Sequence, residues 1–260
     1  MKRREFLSAS FLAGAASLST IATTINKSDE TKPEYYELRR YHMLNRSKQK
    51  VLNDFLRNAA IPAMNRIGIE PVGVFSVMYG PNSPTLYVLL PHKSLESFAA
   101  ATSLLTEDAK YQRAGASFLN APLSDPAYVR MESSLMVAFE QMPELKVPEK
   151  KSRIFELRTY ENHSVKASKK KIEMFNAGGE IEIFLKTGLQ PIFFGESLIG
   201  PRLPNLTYML VFDNMAARDK QWGVFSSSPE WKKLRSDPEY ADNVVNINVV
   251  FLRPDSYSQI

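Results

Sequence analysis

Apolar and polar residues alternate with period two from Glu34 to His42, a tyrosine-rich run that predicts a strand. The period then lengthens. Val51, Leu52, Phe55, Leu56, Ala59, Ala63 and Ile67 recur at helical spacing, and Ser47 stands ahead of them as the expected N-cap. Pro62 falls inside that helix and should kink or split it, while Gly68 should end it with a left-handed residue. Strands follow over 72–79 and 85–90, a second helix opens after Ser94, and a last strand covers 128–139. The predicted order is β-α-β-β-α-β, the split unit of ferredoxin-like folds.

The pattern occurs twice. Tyr36-Glu37-Leu38-Arg39-Arg40-Tyr41 matches Phe155-Glu156-Leu157-Arg158-Thr159-Tyr160 at an offset of 119 (155 against 36). Gly68-Ile69-Glu70-Pro71 matches Gly188-Leu189-Gln190-Pro191 at 120, and so do Gly80-Pro81 with Gly200-Pro201 and Tyr111 with Trp231. Asp125-Pro126-Ala127-Tyr128 matches Asp237-Pro238-Glu239-Tyr240 only at 112, so the first copy carries extra residues before it. In the second copy Asn214 and Ser228 are the expected helix N-caps, Pro229 sits at a first helical position, and 243–252 forms the closing strand. A repeat at this period is one supersecondary unit used twice. The fold class is therefore α+β, with ferredoxin-like units at 34–141 and 153–254 joined by a Pro-containing linker at 142–152. Such a unit carries helices on one sheet face only. Each unit is expected to cover the other's open face, in a barrel or a sandwich.

Residues 1–27 change the reading of charge and address. Lys2-Arg3-Arg4 precedes a mildly apolar stretch rich in Ala, Ser and Leu, the layout of an export signal. Arg3-Arg4-Glu5-Phe6-Leu7 resembles a bacterial twin-arginine signal, which implies a periplasmic or otherwise exported protein. The stretch is interrupted by Ser, Thr and Gly and falls short of the ~20 strongly apolar residues of a membrane span, so no stable membrane anchor is expected. Of the formal charge of +5, residues 1–27 hold +3 (Lys2, Arg3, Arg4 and Lys27 against Glu5). The remaining +2 gives no footprint for a nucleic acid, and Lys169-Lys170-Lys171 reads as a solvated helix face. The chain has no cysteine, which removes disulfides, thiol nucleophiles and thiolate metal sites.

The two hexapeptides, the Gly-x-x-Pro after each first helix, the GPNSPTLYVLL and GPRLPNLTYMLVFDN hairpins and the SSPEWKKL helix resemble the NIPSNAP family, most strongly over the second copy. The resemblance implies a dimeric α/β-barrel arrangement. It also implies a group of proteins that includes small monooxygenases and haem-binding peroxidase-like enzymes, with no settled chemistry for the NIPSNAP branch itself. Open edge strands in such folds pair between chains, so a homo-oligomer is compatible with the sequence.

Chemistry is less legible. Glu37, Arg39 and Tyr41 share one strand face, as do Glu156, Arg158 and Tyr160. The opposite positions, Tyr36 and Leu38 with Phe155 and Leu157, are expected to pack on the helices, which turns the Glu-x-Arg-x-Tyr face toward the barrel interior. That face has two readings. It is a lining for an anionic or phenolic small molecule, with Arg holding a carboxylate and Tyr donating a proton or hydrogen bond, or it is a structural ion-pair ladder that fixes strand pairing. Glu196, absent from the first copy, is a further candidate that would either act in a site or pair with Arg158. His42, His92 and His163 form no metal-binding spacing, so no metal site is expected; a single His leaves haem open. Trp222, Phe225, Trp231 and Tyr111 are expected to anchor helices to the sheet. The functional alternatives are thus a small-molecule-binding barrel, an oxygenase or haem peroxidase-like enzyme, and an interaction scaffold.

Overall fold

A computed structural model describes residues 32–80 and 83–260. The expected export signal at 1–27 lies outside the described residues. The first unit runs β1 (Tyr35–His42), α1 (Arg46–Phe55), α2 (Ile61–Arg66), β2 (Gly73–Val77), β3 (Thr85–His92), α3 (Leu95–Glu107), α4 (Ala109–Ala114), α5 (Ala116–Leu119) and β4 (Arg130–Ala138). The second runs β5 (Ile154–Glu161), α6 (Val165–Phe175), α7 (Glu180–Lys186), β6 (Gln190–Ile199), β7 (Asn205–Phe212), α8 (Met215–Ser227), α9 (Pro229–Arg235) and β8 (Asn246–Pro254).

Local chemistry explains most boundaries. Asn45, not Ser47, caps α1: its side chain accepts from the Lys48 amide at 3.1 Å. Ser94, Ser164, Asn214 and Ser228 cap α3, α6, α8 and α9 in the same way. Pro62 does not break its helix. A π-helical turn over Leu56–Ala60 precedes it, and Pro62 sits in the first turn of α2, where the missing N–H costs least. Gly68 and Gly188 close the first helical layer of each unit at φ 79° and 86°, as expected of a C′ glycine.

The eight strands close into one antiparallel barrel in the order β1-β3-β2-β8-β5-β7-β6-β4. Each unit supplies a four-stranded sheet, and β2–β8 and β4–β6 are the two seams between units. Three buried clusters follow. One lies between α1–α5 and the first sheet, with Leu52, Leu56 and Val88 at its centre; another lies between α6–α9 and the second sheet, with Phe175, Phe184, Phe194 and Phe225. The third fills the barrel and draws on all eight strands and no helix, including Tyr36, Phe75, Leu89, Met136, Phe155, Phe193, Met209 and Leu252. Trp222, Trp231 and Tyr111 pack against the helix–sheet clusters, as the sequence suggested.

Facing is the opposite of the sequence expectation. Tyr36, Leu38, Phe155 and Leu157 point into the barrel, and Glu37, Arg39, Tyr41, Glu156, Arg158 and Tyr160 lie on the helix-covered outer face. The barrel is filled by aromatic and aliphatic side chains, and the buried charges of β1 and β5 lie on the outer face, where partner side chains reach them.

Candidate functional site

On the outer face of the first unit, Arg39 grips the Glu37 carboxylate with Nε at 2.7 Å and Nη2 at 2.9 Å, and Ser133 of β4 donates its hydroxyl at 2.8 Å. His92, at the end of β3, is fully buried edge-on to Phe98; its Nε2 lies 3.7 Å from the same carboxylate, and neither ring nitrogen has a hydrogen-bond partner. Burial pushes the Glu37 carboxyl upward, but His92, Arg39 and Ser133 together outweigh it and hold it down at about 2. Tyr41 packs against Tyr128, and burial raises its hydroxyl.

The second unit meets the same need differently. Glu156 is fully buried and accepts from Arg158, from Arg218 at 2.8 and 3.1 Å, and from the Trp222 indole at 3.0 Å. Burial again opposes ionisation, and the Arg218 and Arg158 hydrogen bonds lower the Glu156 carboxyl despite it. Tyr160 and Tyr208 share a hydrogen bond at 2.9 Å, beside Arg158. Glu196 does not reach Arg158; Lys169 of α6 holds it at 2.7 Å on the surface. The Glu37–Arg39 and Glu156–Arg158 pairs each run along one strand; Ser133 joins the first from the neighbouring strand, and Arg218 and Trp222 join the second from α8. Glu156 accepts four hydrogen bonds and Glu37 three, so protein donors occupy most of the acceptor capacity of both carboxylates.

Neither strand histidine is placed to take haem from the helix-covered face. His92 has no surface accessible even to water, so no macrocycle fits over its nitrogens. His42 faces into the barrel rather than toward the helices, with Nε2 3.5 Å from Glu132. Among the described residues no group of three or more His, Asp or Glu side chains is placed to hold a metal ion.

The open space lies elsewhere, at one end of the barrel. Beyond the apolar plug the inward positions turn polar: Arg40 follows Leu38 on β1, Thr159 follows Leu157 on β5, and Thr207 and Asn205 precede Met209 on β7. They surround a cavity of about 130 Å³. Arg40 pairs with Glu132 of β4, whose carboxyl it lowers by a hydrogen bond. Thr159 and Thr207 share a hydrogen bond at 2.9 Å, and Ser197 donates to Asn205 at 2.6 Å. Asn248 donates to Glu161, and Arg202 reaches Glu161 at 3.3 Å. Arg202 holds a left-handed backbone at φ 60°, an unusual conformation for a side chain of its size. None of these residues stood out in the sequence; the one available signal was the Arg40/Thr159 difference, one of two between the matching hexapeptides and the one that changes charge.

The NIPSNAP family model matches twice, over residues 36–142 and 155–259, and the chain belongs to that family. No curated protein matches it. Among solved structures, a protein of Lactobacillus acidophilus named a "putative monooxygenase" superposes with a TM-score of 0.57 at 11% identity, over 86% of this chain and 95% of its own. A protein of Fusobacterium nucleatum with the same name gives 0.55 at 9%, over 86% and 93%. A NIPSNAP-like domain protein from Burkholderia xenovorans matches at 21% identity with a TM-score of 0.36, covering 41% of this chain and 88% of its own. At these identities the two longer superpositions establish a shared fold and nothing about reaction.

Proposed function

We propose that this NIPSNAP protein binds a small, uncharged, hydroxyl- or amide-rich molecule at the polar mouth of its barrel. One observation carries the reading: the inward-facing side chains switch from apolar to hydrogen-bonding along the barrel axis, at the place where a cavity remains. The two arginines at this mouth already have carboxylate partners in Glu132 and Glu161, so the site offers no spare positive charge for an anion. What it offers is the hydroxyls of Ser134, Thr159, Ser197 and Thr207 and the amides of Asn205 and Asn248. A cavity of ~150 Å³ accepts benzene; the space here, about 130 Å³, suits a compound of similar size.

The test is a thermal-shift and ligand-observed NMR panel of three- to six-carbon polyols, small amides and small carboxylates. Polyols or amides should bind, and Thr159→Val/Thr207→Val should weaken them about tenfold, the value of one to two lost hydrogen bonds at ~1 kcal/mol each. Preferential binding of carboxylates, or binding indifferent to the double substitution, would overturn the reading. The exported address is part of the same proposal, supported by the Arg3-Arg4 motif; recovery of the intact chain in the cytosolic fraction of its host would count against it.

A further inference from the structure

We propose that the opposite end of the barrel carries a second, independent binding site, built for a single-chain amphipathic carboxylate. There the linker between the units and the segment after β8 run side by side and enclose about 360 Å³, within the range of small-molecule pockets. The pocket shares no lining residue with the polar mouth.

Its floor is apolar. Phe155, whose ring lies tilted against Phe75 inside the barrel with centroids 4.9 Å apart, lines it with Pro254 and Ile260, and Ile260 packs into the barrel cluster. Its rim is basic. Four cations line it, Lys150, Lys151, Arg153 and Arg253, against two carboxylates, Glu149 and Asp255; a carboxylate at Ile260 would still leave it positive. The cations are not equivalent. Arg153 and Lys151 both pair with Asp213, at 3.2 and 3.0 Å, and Arg153 also donates to the Glu149 carbonyl. Asp255 accepts from Ser76 at 2.9 Å, and burial raises its carboxyl. Lys150 and Arg253 have no carboxylate within 4 Å among the described residues. Both are exposed at the rim, where an anionic headgroup would meet them while an apolar chain lay on the floor.

Size sets the chain. Scaling from a ~150 Å³ cavity that holds the six carbons of benzene, the pocket takes ~14 non-hydrogen atoms, which leaves room for the ~12 of decanoate. A cationic amphiphile of equal length would face two unopposed positive charges, and a neutral one would gain nothing from them.

Calorimetric titration of the full chain with monomeric decanoate, decanol and decyltrimethylammonium tests this, with anionic phospholipid vesicles as a fourth arm. Decanoate should bind saturably and at least tenfold more tightly than the other two. Lys150→Glu/Arg253→Glu should abolish it, Ser152→Trp should block it by filling the pocket, and Thr159→Val/Thr207→Val at the far mouth should leave it unchanged. The milder Lys150→Gln/Arg253→Gln, at two exposed positions, covers the case in which charge reversal disturbs folding, and should weaken binding about tenfold. Equal binding of all three amphiphiles, no saturable decanoate binding, or binding unaffected by the rim and filling variants would overturn the proposal. Retention on vesicles with no binding of monomeric decanoate would overturn it in favour of a membrane-surface patch.

Discussion

Glu37→Gln should change how the protein responds to acid, by an amount the structure sets. The ordinary value for this carboxyl is 4.5, and its surroundings hold it at about 2 in the folded chain. A carboxyl depressed on folding stabilises the protein above its unfolded pKa, and that stability is lost as pH falls through the folded value. At ~1.36 kcal/mol per unit, the shift is worth about 3 kcal/mol at pH 5 and about half that at pH 3. Gln cannot titrate, and every other carboxylate is common to both proteins. The gap in unfolding free energy between wild type and Glu37→Gln, read from urea titrations, should therefore narrow by about 2 kcal/mol from pH 5 to pH 3. The gap at pH 5 should be large, since Gln leaves the Arg39 guanidinium without its buried counter-charge. A gap of constant width across this range would show that Glu37 is not held ionised by Arg39, Ser133 and His92, and would refute the account of the outer face.

Two further perturbations test other parts of the structure. Lys171 and Glu180 form a buried pair at 2.6 Å, with the ammonium 4.5 Å from the Phe175 ring centroid; burial raises the Glu180 carboxyl even beside Lys171. Glu180→Leu alone should cost about 3 kcal/mol in urea unfolding, while Lys171→Met/Glu180→Leu should return to within about 1 kcal/mol of wild type, and simple additivity would contradict the pairing. Arg202→Gly should relieve the left-handed strain at φ 60° and raise stability by about 0.5 kcal/mol, seen as a Tm gain of about 1–2 °C, while weakening binding at the polar mouth; a loss above 1 kcal/mol would show that the Glu161 contact outweighs the strain.

The repeat was legible because each copy repeats its turn chemistry: Gly68 and Gly188 take the same left-handed conformation, and Ser94 and Asn214 cap equivalent helices. Strand number and order followed from it. The facing of β1 and β5 did not. Alternation assigns a face only when one side of a sheet meets water, and in a closed barrel under helices both sides are buried. Tyr36 and Phe155 are as apolar as residues that pack on a helix, so nothing in the hexapeptides says that they fill the barrel. Partner identity was equally out of reach. The Glu37 carboxylate is completed by Ser133, almost a hundred residues away, and that of Glu156 by Arg218 and Trp222 on α8, contacts that exist only once the helix lies on the sheet. The misplaced N-cap at Ser47 is a smaller miss of the same kind: Asn45, two residues earlier, is as good a cap, and Ser47 donates to it instead.

The joining of both units in one chain has a chemical consequence at the barrel mouth. In a barrel closed by two copies of one chain, symmetry would place the same side chain at both equivalent positions. Deep in this barrel the positions on β1 and β5 still nearly match: Tyr36 corresponds to Phe155, and Leu38 to Leu157. One turn of alternation further, they part. Arg40 and its strand partner Glu132 correspond by register to Thr159 and Asn248, and Tyr87 corresponds to Thr207; Ser134 and Val250, opposite Leu38 and Leu157, already differ. At these equivalent positions the first unit thus contributes a charged, self-compensating pair, and the second contributes hydroxyls and an amide, its own Arg202–Glu161 pair coming from the β6–β7 turn and the end of β5. A symmetric barrel would have to bring together two Arg–Glu pairs or two sets of hydroxyls. In the plug the units differ mainly in where they place bulk, with Phe75 and Gly73 standing for Gly195 and Phe193; at the mouth they differ in charge and hydrogen bonding, the pattern expected where the plug serves the fold and the mouth serves a ligand with two unlike ends.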